Sequence, residues 1–214
     1  MNWDLRARTL DEVTDFVFAH PVPSDPDDDT GWWWKDEFTF DPAEHIAHVT
    51  AILRNAGVLR RRYSREQLEQ GFWFLISGVE GGLEDLIWDT RIPWEARARL
   101  IEATVDLYRD LFAADPLDSS ALMFWDALAY GYCVPTCHPQ TDPEDRRIQD
   151  AMFVALRQIL EIQSLACQRA ALHGLGHLRH PDTESVINVY LERHPELSED
   201  DRKYALACIT GEVQ

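Results

Sequence analysis

The chain has 214 residues, 45% of them hydrophobic and 11% aromatic. That is enough apolar material for a sizeable core and excludes a chain that is disordered throughout. The formal net charge of −18 argues against recognition of nucleic-acid phosphates or anionic membrane surfaces, which needs a basic face; it suits a basic protein partner, or simply solubility.

Thr9-Leu-Asp-Glu12 is a capping box, and the apolar spacing of Leu10, Val13, Phe16 and Val17 predicts a helix over 10–19. His20-Pro21 ends it. Residues 21–31 form an acidic, proline-rich loop. Its Asp25, Asp27 and Asp29 have the 1-3-5 spacing of a calcium loop, but Thr30 stands where the invariant glycine belongs. A solvated loop, or one in which Asp27, Asp28 and Asp29 dock a basic partner, is the expected reading. Trp32, Trp33 and Trp34 follow. Three successive tryptophans cannot all face one core, so at least one should be partly exposed, or should clamp the N-terminal segment, or should serve an interface. Phe38-Thr39-Phe40 is the one stretch expected to be extended.

Asp41-Pro42 opens a predicted helix to about Asn55 with the stripe Ile46, Val49, Ile52 and Leu53. Glu44, His45 and His48 lie one turn apart there but lack the Glu-x-x-His order of a di-iron bundle. A second capping box, Ser64 to Gln67, opens a helix to about Val79. Gly81-Gly82 breaks the chain before a short helix, Leu83 to Trp88. Pro93 then starts a helix to about Ala113. The next should be capped by Asp118 or Ser119 and run to about Tyr132. Asp142-Pro143 opens another to about Ile162, whose stripe includes Ile148, Met152, Val154, Leu156, Ile159 and Leu160. No stretch sustains a period-two alternation, so the chain is expected to be all-α.

The C-terminal third is the most legible. LACQRAALHGLGHLRHP, from Leu165, reads as a helix with the stripe Ala171, Leu172, Leu175 and Leu178, stopped by Pro181. Gly174 and Gly176 each cost a helix roughly 1 kcal/mol against alanine, so they are expected to admit a neighbouring helix closely. Asp182 should cap the following helix, with Val186, Ile187, Tyr190 and Leu191 inward. Ser198 should cap the last, with Tyr204, Ala205, Cys208 and Ile209 inward. QRAALHGLGH, from Gln168, aligns with RKYALACITG, from Arg202, at a shift of 34 residues; Ala127-Leu128 aligns more loosely with Ala171-Leu172 at a shift of 44. Such periods signal stacked helical hairpins.

AALHGLGHLRHP followed by TESVINVYLER resembles a HEAT repeat, with His177 and His180 replacing the usual polar residues of the turn. The resemblance implies antiparallel hairpins stacked as a short α-solenoid over 42–214, with a loop-rich N-terminal extension over 1–41. It attaches no reaction. It implies a surface that grips another protein, for which Trp32, Trp33, Trp34, His173, His177, His180 and the acidic loop are the candidates. A basic partner of the nuclease-toxin kind would make the chain an immunity or antitoxin-like protein of a bacterium.

The competing chemistry is metal-dependent hydrolysis. His173 and His177 are four apart on one helix face, which is zinc-ligand spacing, although Gly174 occupies the place of the metalloprotease glutamate. Cys133 and Cys137 could complete a Cys2His2 zinc set with them; otherwise the cysteines are core residues and the histidines meet carboxylates. No G-x-S-x-G, P-loop or G-x-G-x-x-G pattern is present. No apolar run approaches the ~20 residues of a membrane helix, no basic-then-apolar leader opens the sequence, and the four cysteines show no disulfide-dense spacing. The expectation is a reducing, cytoplasmic location.

Overall fold

The computed structural model describes residues 2–23, 31–134 and 136–212, apart from the side chain of Lys35. The described residues are mostly helical. In chain order they form β1 (Asn2–Asp4), α1 (Leu10–Phe18), β2 (Glu37–Thr39), α2 (Pro42–Arg54), α3 (Arg65–Ile76), α4 (Leu83–Trp88), α5 (Trp94–Leu107), α6 (Ser120–Cys133), α7 (Pro143–Leu160), α8 (Leu165–Leu178), α9 (Thr183–Arg193) and α10 (Glu199–Thr210). No described helix is long and apolar enough to cross a membrane. The chain divides into two compact units, 1–120 and 121–214.

Local signals set most helix starts in the first unit. Both capping boxes form: the Thr9 and Ser64 side chains accept from Glu12 and Gln67, whose own side chains reach back. The Asp41 carboxylate accepts from the N–H groups of Ala43 and Glu44. The expected stripe Ile46, Val49, Ile52 and Leu53 is buried throughout where α2 packs on α5. α1 lies against α3, and a Cβ at Gly71 would come within 2.2 Å of the Phe18 ring. Glycine is what permits that approach. The extended stretch at Phe38 pairs in parallel with β1, Trp3 opposite Phe38. The predicted helix ending at Ala113 finishes instead as a π turn, Tyr108–Phe112. At the start of α6 the Glu69 carboxylate, on α3, takes the N–H groups of Asp118, Ser119 and Ser120 at 3.0–3.1 Å.

In the second unit Asp142 caps α7 and Ser198 caps α10 as expected. Asp182 precedes α9 but its side chain makes no capping bond; it turns toward His180, whose Nδ1 accepts from the Asp182 N–H at 3.1 Å. α8 is buried on nearly every side from Cys167 to Leu178. Its most extensive contact is with α7, then α10, with less against α9. Gly174 explains the closeness: a Cβ there would meet Trp125 Cβ at 2.6 Å and Leu156 Cδ2 at 2.7 Å. Val154, placed on the inward stripe of α7, is 51% exposed, while Ile148, Met152, Leu156 and Ile159 form the buried face.

Candidate functional site

Two groups of side chains stand out, one in each unit. In the first unit the tryptophan triplet sits on a 3-10 turn, Trp32–Lys35. Its members diverge. Trp32 stacks on His20 (3.5 Å) and Phe74 (5.0 Å), inside an aromatic cluster centred on Phe16, which also meets Trp3 and Phe38. Trp33 is buried and Trp34 is 61% exposed. The triplet therefore clamps the N-terminal segment with two rings and offers the third to solvent. Trp33, Trp34 and Trp73 line a cleft of ≈ 680 Å³ together with Glu66, Glu69 and Asp118. Among the described lining residues there is no Lys or Arg; Arg65 sits nearby, paired with Asp115 and Asp118. Asp25, Asp27, Asp28 and Asp29, including the calcium-loop triplet, lie outside the described residues.

In the second unit Asp126 on α6 meets His173 and His177 on α8. His177 Nε2 lies 2.7 Å from Asp126 Oδ1 and 3.2 Å from His173 Nε2. His173 Nε2 is 3.6 Å from the same carboxylate oxygen. The i,i+4 spacing places both imidazoles on one face. Their other nitrogens are also engaged: His173 Nδ1 with the Tyr204 hydroxyl of α10 at 2.9 Å, and His177 Nδ1 with Cys133 Sγ at 3.0 Å. Burial holds both imidazoles below their ordinary pKa, against the opposing pull of Asp126. Burial raises the Cys133 thiol and the Tyr204 phenol, so both are neutral at pH 7. This is the one group of three His, Cys, Asp or Glu among the described residues whose ligand atoms converge closely enough to hold a metal ion.

The remaining candidates fall elsewhere. Cys137 folds back on the last turn of α6, where a Cβ at Gly131 would come within 2.7 Å of its sulfur. His180 is buried and stacked on Phe153 at 3.9 Å, with Nε2 on Asp150 at 3.0 Å. It braces a turn. His45 is buried, donating from Nε2 to the Gly81 carbonyl at 3.0 Å, and forms no such group with Glu44 and His48.

Asp126 and Tyr204 escaped the reading of the sequence. A signal was present. Asp126 directly precedes Ala127-Leu128 and Tyr204 directly precedes Ala205-Leu206, the pairs that align with Ala171-Leu172. Both therefore stand at one position in the copies flanking the two histidines. Comparison with known proteins adds nothing to this geometry: no family model, curated protein or solved structure matches the chain.

Proposed function

We propose that the chain is a non-enzymatic protein-interaction module that binds a basic partner through the tryptophan cleft of residues 1–120. The carrying observation is the composition of that cleft: three tryptophans with three carboxylates, and Trp34 61% exposed. An aromatic face beside carboxylates suits an arginine or lysine side chain, which gains cation–π attraction and charge pairing together. Four further aspartates stand between Pro23 and Gly31 in the sequence, and the chain's charge of −18 would steer a basic partner to it. A second cleft, beside α7 and α9, mixes Arg157 and Arg193 with Glu161 and Asp182 and offers no such sign preference. An immunity-like role toward a basic toxin is the specific form of this reading.

The HEAT-like reading of residues 121–214 is supported by the contacts that link alternate helices. Asp126 of α6 reaches α8, and Tyr204 of α10 reaches α8 from its own position in the next copy. α7 and α9 then stand as the second helices of their hairpins.

The test is titration of the protein with an arginine-rich peptide, and with the basic product of any adjacent gene, at low and at high salt. Binding is expected to weaken with salt. Trp34→Ala should lower affinity roughly 30-fold, a hot-spot loss, with thermal stability unchanged. Binding indifferent to both salt and Trp34 would refute the reading.

A further inference from the structure

The cluster on α6 and α8 makes a different demand. The Cys133 thiol donates to the His177 carbonyl at 3.3 Å. Its sulfur lone pairs are then left to accept from His177 Nδ1–H at 3.0 Å. In that arrangement the proton of neutral His177 sits on Nδ1 and Nε2 is bare. The Tyr204 hydroxyl can likewise accept from His173 Nδ1–H at 2.9 Å, which leaves the second Nε2 bare. Two imidazole lone pairs and a carboxylate oxygen then face one another at 2.7, 3.2 and 3.6 Å. Three acceptors at those separations repel unless a cation lies among them. A proton can bridge only one of the three pairs, whereas a metal ion can satisfy all three.

We propose that Asp126 Oδ1, His173 Nε2 and His177 Nε2 ligate a single divalent transition-metal ion of the zinc class. With bonds of about 2.0–2.2 Å, the edges of a tetrahedron around such an ion are about 3.3 Å, and the three observed separations bracket that value. Two imidazoles and one carboxylate are a borderline donor set, which suits Zn2+ or Co2+; Mg2+ and Ca2+ prefer all-oxygen sites. Tyr204 and Cys133 orient the two rings from behind, as the outer partners of metal-bound histidines do. Three protein donors leave a fourth tetrahedral position for water. The ion joins α6 to α8 within the second unit, so it also stabilises that unit. None of these residues lines the tryptophan cleft, so metal uptake and partner binding are measured independently.

The test begins with full-length protein stripped by a chelator and titrated with Zn2+ by calorimetry, its metal content then being read after gel filtration. Co2+ substitution supplies a second readout, the visible ligand-field spectrum. One ion per chain and a raised melting temperature are expected. The near-isosteric Asp126→Asn should lose at least a hundredfold in affinity, and His173→Ala should abolish binding. Tyr204→Phe should keep the stoichiometry but weaken affinity 10- to 100-fold; this variant removes no ligand, so it reports on the site even if a ligand substitution unfolds the chain. His194→Ala, outside the cluster, should change nothing. Folded wild-type protein that takes up no stoichiometric Zn2+ or Co2+ overturns the proposal. So does binding that survives Asp126→Asn and Tyr204→Phe undiminished.

Discussion

Cys133 and Asp126 approach opposite edges of one imidazole: the thiol meets His177 at Nδ1 (3.0 Å) and the carboxylate meets it at Nε2 (2.7 Å). A metal held at Nε2 therefore has Cys133 behind its ligand ring, and a set containing both Cys133 and Nε2 of His177 has no common centre. Cys133→Ser is accordingly expected to keep one ion per chain with affinity reduced about tenfold, the usual effect of a lost outer partner. The Co2+ protein should show no sulfur-to-metal charge-transfer band. A strong band, removed by Cys133→Ser, would make the thiol a ligand.

Gly174 has a substitution effect whose sign is diagnostic. On an open helix Gly→Ala gains roughly 1 kcal/mol. Here the added methyl would lie 2.6 Å from Trp125 Cβ and 2.7 Å from Leu156 Cδ2, and the Trp125 Cβ is fixed to its own backbone. Gly174→Ala should cost about 1–3 kcal/mol, the range for overpacking. It should also weaken metal binding, because Trp125 adjoins Asp126 and moves with it. Chemical denaturation with and without Zn2+ measures both effects.

Glu69 acts as a helix cap supplied from another helix. Its carboxylate accepts from the N–H groups of Asp118, Ser119 and Ser120, from the Ser119 hydroxyl at 2.6 Å and from Trp73 Nε1 at 3.1 Å. Every partner is a donor, so Glu69→Gln turns an amide NH2 toward N–H groups. A loss of about 1–2 kcal/mol is expected, the scale of a removed cap, visible as a lower urea midpoint with an unchanged slope. Substituting Asp118→Asn, which keeps the backbone N–H and gives up only the exposed ion pair with Arg65, should cost much less.

The same pair of residues shows where reading the sequence stops. Helix starts are legible at Thr9, Ser64 and Asp142, where the cap lies within three residues of its target. The cap at Ser120 comes from Glu69, about 50 positions away, and local spacing carries no trace of it. β1 pairs with β2 across 35 positions for the same reason. The two histidines were legible as a pair because one helix turn joins them. Which acid they meet depends on how α6 lies on α8, and 38 acidic residues gave no basis for choosing Asp126. The tryptophan triplet was legible as a contradiction, three large rings in a row, and the fold resolves it by burying Trp33, stacking Trp32 and exposing Trp34.

The acid limb of stability should report His45. Burial pushes its pKa down to about 4 from 6.5, with the Gly81 carbonyl opposing. The unfolded chain thus takes up the proton near pH 6.5 and the folded chain only near pH 4. Between those values the unfolded state carries more protons, so stability falls as the pH is lowered through the window and is fully retained above it. The shift amounts to about 3 kcal/mol when the window has been crossed. His45→Gln can keep a donor to the Gly81 carbonyl without a titrating ring. It should therefore lose little at pH 7.5 beyond the packing against Phe40, whose ring lies 4.6 Å away, and should flatten the decline between pH 6.5 and 4. Urea midpoints at pH 7.5, 6 and 5 decide it, because a wild-type decline that persists unchanged in the variant would place the responsible proton on another group.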